Sequence, residues 1–222
     1  MAQRTKKEIK NLAERLSLRV TPYDWLKKSQ ALRQASNHLL IRFEEDQLAH
    51  DEQFERNPDF DRESPDSSVL MMLLGFAIEN LLKGLYVSTL PIVKLPRTLR
   101  ELGIPGHSLA EIANRIADAL GEQFSKREFD ILSAAEQSIV WCGRYPSPVD
   151  ADKLISPSAD TLFSTPLFRY PVDHFDACKL YDRLESLLKP RAPFSVQRMM
   201  LGNKVYVGLM PGDVEDSALR ET

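Results

Sequence analysis

The chain has little cysteine, little glycine and no excess of charge large enough to define a partner. Two cysteines in 222 residues, Cys142 and Cys178, cannot build a disulfide framework, and both are expected to be free thiols. None of the nine glycines sits in a Walker-type phosphate loop, a dinucleotide fingerprint or a Gly-x-Ser-x-Gly elbow, which removes the commonest nucleotide-dependent and hydrolase readings. With 29 basic and 32 acidic residues the formal net charge is -3, so a uniformly basic nucleic-acid or membrane binder is excluded and any anionic partner must be met locally. No long apolar run is uninterrupted: Val69 to Val87 is broken by Glu79, Asn80 and Lys83, short of the roughly 20 apolar residues a membrane span takes. That stretch predicts a core helix and no membrane partner. The opening Met1-Ala2-Gln3-Arg4-Thr5-Lys6-Lys7 leads into charges rather than a signal peptide's apolar core, so the expected location is cytoplasmic.

What is present is helical patterning. A composition 43% hydrophobic and 27% charged suits one globular domain with a real core, expected over residues 1–190. Ile9, Leu12 and Leu16 predict a short peripheral helix within residues 1–20. Thr21-Pro22-Tyr23-Asp24 is a helix start, and the helix it opens is predicted to run to about Ala49 with Trp25, Leu32, Ala35, Leu39 and Phe43 facing inward. Asp51 to Ser68, crowded with acids, reads as a solvated connection. The central helix follows from Val69 to Val87. Leu109, Ile112, Ile116 and Leu120 give the next helix one apolar face closed by Gly121, and Ser125 with Glu128 has capping-box spacing for another, lined by Phe129, Leu132, Ala135 and Ile139. Residues 146–171 carry five prolines and are expected to form a long loop before a last helix with Phe175, Cys178, Leu180, Tyr181, Leu184 and Leu188, stopped by Pro190. The tail, 191–222, offers one strand-like patch, Lys204 to Gly208, and is otherwise expected to be irregular. The fold class is therefore all-α, an antiparallel bundle of four to five main helices with a proline-rich loop before the last.

Three stretches carry a family resemblance: Ala77-Ile78-Glu79-Asn80-Leu81-Leu82-Lys83, Gly106-His107-Ser108-Leu109, and Glu136-Gln137-Ser138-Ile139-Val140-Trp141-Cys142-Gly143-Arg144-Tyr145-Pro146. In order and at bundle-like spacing they resemble the HEPN superfamily of helical domains, over roughly Pro22 to Lys189. The resemblance implies an RNA-binding domain or a metal-independent endoribonuclease of toxin-antitoxin or phage-defence type. It also implies a homodimer through long helices and, in some settings, an antitoxin or other protein partner. The nuclease members pair an arginine with a histidine a few residues on, near the start of the final helix. This sequence offers Arg33 with His38, Arg100 with His107, and Arg169 with His174. Position favours Arg169 and His174, although Tyr170 and Pro171 stand where a small polar residue is usual.

The chemistry of such a pair is direct. A histidine, with an ordinary pKa of about 6.5, can take the ribose 2′-hydroxyl proton or protonate the leaving oxygen, and an arginine can hold the phosphate bidentately. His174 would be the acid or base and Arg169 the clamp. Arg144, His107 and Glu79 form a second group, in which Glu79 would hold Arg144 or His107, or would simply pair with Lys83 at i, i+4. His174 and Cys178, joined by Cys142 and His107, could supply zinc ligands, but no paired Cys-x-x-Cys supports this, so neither metal nor cofactor is expected. The rival reading is a non-catalytic helical module that binds a protein partner or a nucleotide.

Overall fold

The computed structural model describes residues 21–57, 67–91, 103, 107–142, 172–192, 194–201 and 204–211. Five α-helices run along them: α1 (Pro22–Arg56), α2 (Ser68–Ser88), α3 (Leu109–Leu120), α4 (Lys126–Gln137) and α5 (Val172–Leu188), followed by strands β1 (Phe194–Leu201) and β2 (Lys204–Pro211). The protein is mostly helical, as the periodicity predicts. The peripheral helix expected within 1–20, the middle of the acidic connection and the proline-rich segment 146–171 lie outside the described residues.

Local chemistry sets most of the boundaries. At the start of α1 the Thr21 backbone N–H and hydroxyl both donate to the Asp24 carboxylate, at 2.7 and 2.8 Å, and the Asp24 N–H returns to the Thr21 hydroxyl at 3.4 Å. The Thr21 N–H thereby gains an acceptor, and the Asp24 N–H is shared between the Thr21 hydroxyl and the Thr21 carbonyl, at 3.1 Å from the latter. The helix does not stop near Ala49 but continues to Arg56. Exposed pairs at helical spacing carry it on, Gln47 with Asp51 at 2.8 Å and Arg56 with Glu52 at 3.4 Å, and Pro58 disfavours a helical Asn57. Its buried face also differs from the expected one. Ala35 and Leu39 are exposed, whereas Trp25, Leu26, Ser29 and Ser36 are buried.

In α2, Leu74, Ile78, Leu81, Leu82 and Leu85 are fully buried, each worth roughly 1.5–3 kcal/mol relative to an exposed side chain. Among the described residues α2 is the one helix long and apolar enough to cross a membrane, and 67% of that apolar stretch is buried inside the protein. At the end of α3 Gly121 takes the left-handed conformation, φ +70°, and its N–H reaches Ala117 O. The Ser125–Glu128 capping box forms at the start of α4. That helix widens into a π turn, Ser138–Cys142, where the Ser138 hydroxyl donates to Ala134 O at 3.2 Å. In α5 Leu180, Tyr181, Leu184 and Leu188 are buried as expected, but Phe175 is 61% exposed. The tail is more regular than expected: β1 and β2 form an antiparallel hairpin whose register runs from Phe194 opposite Pro211 to Leu201 opposite Lys204. The intervening Gly202-Asn203 is a dipeptide suited to a two-residue hairpin turn.

The chain divides into two compact units. One takes Met1–Lys28, Asn80–Gln123 and Asp182–Thr222; the other takes Ser29–Glu79 and Phe124–Tyr181, so α1, α2 and α5 each contribute to both. In the first, Gly84 lies so close to Trp25 and Leu188 that a Cβ there would stand 3.0 Å from Trp25 Cβ and 2.6 Å from Leu188 Cδ2. Arg183 closes the same unit by donating to Gln123 O at 2.9 Å.

The second unit is a ring of helix contacts. Ser29 and Ser36 on α1 donate to Ala77 O and Leu70 O on α2, at 2.7 and 3.2 Å, and the opposite order of these partners makes the two helices antiparallel. Gly75 of α2 lies against Ala135 and Ile139. Arg127 of α4 joins Asp173 and Asp176 of α5, and Arg33 of α1 lies over Tyr181 of α5, which completes the cycle.

Candidate functional site

His174 lies in the first turn of α5, and Cys178 and Tyr181 follow it at i+4 and i+7, so the three share one helical face. His174 is 8% exposed and Tyr181 3%. The Cys178 sulfur stands 3.8 Å from Nδ1 and 3.7 Å from Nε2 of the imidazole. Near-equal distances place it along neither ring nitrogen's lone pair, so the two groups are in contact without a directed hydrogen bond.

The cation that meets this face comes from α1. Arg33 stacks its guanidinium over the Tyr181 ring, 5.5 Å from the centroid, and its charge acts on His174. Its Nη1 is shielded from solvent and has no hydrogen-bond partner among the described residues. An unmade hydrogen bond at a buried donor costs roughly 1–3 kcal/mol, and more for a charged one, so the nitrogen is poised for an acceptor. Burial first, and then the Arg33 charge, hold the His174 imidazole below its ordinary pKa of 6.5, while the Glu44 carboxylate on α1 pulls the other way. Folding therefore presents a neutral ring, able to take a proton, beside a permanent cation.

The start of α5 is fixed by a fork. Arg127 donates from Nη2 to Asp173 Oδ1 at 2.8 Å and from Nε to Asp176 Oδ2 at 2.7 Å, and the two carboxylates hold its proton more tightly than usual. The Asp173 side chain is only 5% exposed, so this pairing satisfies a carboxylate that burial would otherwise penalise. In the next turn Lys179 lies 4.0 Å from the centroid of the exposed Phe175 ring.

The three arginine-histidine pairs legible in the sequence fare differently. Arg169, Arg100 and Arg144 lie outside the described residues. Arg33 turns inward while His38 on the same helix is exposed, so the charge of Arg33 acts on a histidine about 140 positions away. Glu79 is 2% exposed and Lys83 9%, and the Lys83 ammonium stands 5.8 Å above the Trp25 ring. His107 is half-buried in the turn ahead of α3 and falls in the other unit from Glu79. Of the zinc set, His174 and Cys178 are adjacent, and among the described residues no three His, Cys, Asp or Glu side chains gather as a metal site.

Sequence reasoning missed Arg33 as the partner of His174 and Arg127 as the tether of Asp173. A signal for the first existed: Ser29, Arg33 and Ser36 recur at i, i+4, i+7, so a helix face marked by small residues at its ends has a charge in its middle. No protein-family model matches this chain, and neither the curated proteins nor the solved structures contain a match to it.

Proposed function

We propose that this chain is a HEPN-like domain that binds RNA and cleaves it without a metal, in a toxin or defence setting and as a homodimer through its long helices. The observation that carries the proposal is His174: a desolvated imidazole in the first turn of the last long helix, held neutral beside a guanidinium. The mostly helical architecture agrees with it, and the three sequence stretches that resemble the superfamily supply the substrate class.

In the proposed reaction His174 takes the proton of a ribose 2′-hydroxyl, the 2′ oxygen attacks phosphorus, and the bond to the 5′ oxygen breaks. The leaving oxygen takes a proton from water, giving a cyclic phosphate and a free 5′-hydroxyl, and His174 returns its proton to solvent. Arg169, just ahead of the helix, is the clamp that the resemblance assigns; a guanidinium there neutralises charge that grows on the phosphate in the transition state.

The test is cleavage of a mixed single-stranded and structured RNA pool in chelator by the wild type, His174→Ala and Arg169→Ala, with folding checked by circular dichroism. Loss of at least about a hundredfold in rate is expected for His174→Ala, the usual scale for removing a general acid or base. Cleavage that survives both substitutions would move the site to Arg144 and His107. Absence of cleavage by the folded wild type would favour the second reading, an interaction module. That reading draws on the outer half of α1, where Ile41, Leu48 and Phe54 are 55%, 63% and 51% exposed.

A further inference from the structure

We infer that Arg33 on α1 is a phosphate-binding residue of the His174 site, a second oxyanion clamp supplied by the first long helix beside the one that the resemblance assigns to Arg169. The inference rests on the RNA reading only for the identity of the substrate that carries the phosphate.

Three features of the geometry support it. First, stacking on Tyr181 uses the face of the guanidinium, whereas its N–H donors lie in the plane and point outward from its edge. Nη1 on that edge is buried and, among the described residues, unpartnered. A planar cation with one face stacked and a buried in-plane donor unpartnered among the described residues is matched by an in-plane oxyanion, which a phosphate provides.

Second, the neighbouring groups make an anion welcome once it arrives. His174, its pKa lowered by burial, can become a second donor by taking up a proton as the anion binds. The charged groups acting on His174 from α1 are Arg33 and Glu44; on α5 Cys178 touches the ring, and the carboxylates of Asp173 and Asp176 are engaged by Arg127 of α4. Third, the parts are held in place. The Ser29 and Ser36 hydroxyls bind α1 to α2 on either side of Arg33, and the Arg127 fork fixes the turn that carries His174. Little ordering remains for the ligand to bring about.

Inorganic phosphate is the probe. Titrated into the full chain, it is expected to shift the His174 ring resonances saturably and to raise the apparent pKa of that imidazole. In Arg33→Gln the phosphate response should weaken by at least about tenfold, with the fold retained. Arg33→Lys keeps the charge but not the two parallel donors, so it should bind phosphate several-fold more weakly than wild type, and it replaces Arg33→Gln if that variant does not fold. An unchanged phosphate response in Arg33→Gln or Arg33→Lys overturns the inference, as does a wild-type His174 that never responds. The RNA reading fails separately. Phosphate binding that depends on Arg33, in a protein that cleaves no RNA, keeps the clamp and discards the nuclease. RNA cleavage untouched by Arg33→Gln keeps the nuclease and discards the clamp.

Discussion

His174 couples the candidate site to the stability of the fold. Its pKa is lowered on folding while the unfolded chain keeps the ordinary value of 6.5, so below that pH the unfolded state binds more protons. The stabilisation from a neutral His174 is therefore present in full above about pH 6.5 and is lost as pH falls through the lowered folded value. Urea unfolding of wild type and His174→Gln between about pH 5 and 7.5 checks this: the difference between them should grow more unfavourable to wild type as the pH drops. Parallel profiles would show that the imidazole is not desolvated. The histidine itself was legible in the sequence, because a helix start placed it. Its cation was not, because the motif pairs residues near each other in sequence, whereas packing of α1 on α5 brings Arg33 across about 140 positions.

Helix contacts depend on where the chain omits side chains. Gly84 is set between Trp25 and Leu188, and both a Cβ and the methyls beyond it would enter occupied space. Leu188 can yield at its tip; the Trp25 Cβ, one bond from backbone, cannot do so cheaply. Gly84→Val is therefore expected to cost about 1–3 kcal/mol through overpacking, a loss readable as a lower urea midpoint at unchanged slope. A neutral or stabilising outcome would mean the helices can part there without penalty. The element boundaries that follow from capping chemistry, Thr21, Gly121 and Ser125, were readable because each is settled within a few residues. The inward face of α1 was not. Ser29 and Ser36 are polar by composition and buried by function, since each hydroxyl finishes on a carbonyl of α2, and an apolar-stripe reading passes over them in favour of Ala35 and Leu39. The π turn after Gln137 carries no local signature that a 3.6-residue period would detect.

For the whole molecule, the mostly helical class follows from pattern alone, and the strand-like patch Lys204 to Gly208 falls in β2, while β1 escaped because Met199, Met200 and Leu201 break the strict alternation that marks a half-buried strand. Net charge makes the final prediction. At -3 overall, with acids along the outer half of α1, the protein has no broad electrostatic pull on a polyanion. On the proposed reading, RNA bound at the His174 face would owe its affinity to a few cations, with Arg33 foremost. Each phosphate neutralised on a single strand contributes a slope of about -0.7 to the dependence of log affinity on log salt. Two or three contacts predict a total slope of about -1.5 to -2, shallow beside the value near -10 of a strongly electrostatic DNA binder. Fluorescence anisotropy of a labelled single-stranded RNA across a salt series measures it, and Arg33→Gln should flatten the slope by about 0.7. A slope steeper than about -4 would require six or more phosphate contacts, which means an extended basic surface, and would move the nucleic-acid contact away from the Arg33 and His174 pair. A slope unchanged by Arg33→Gln would remove Arg33 from the phosphate contacts while leaving RNA binding itself in place, because counterion release reports contacts one by one.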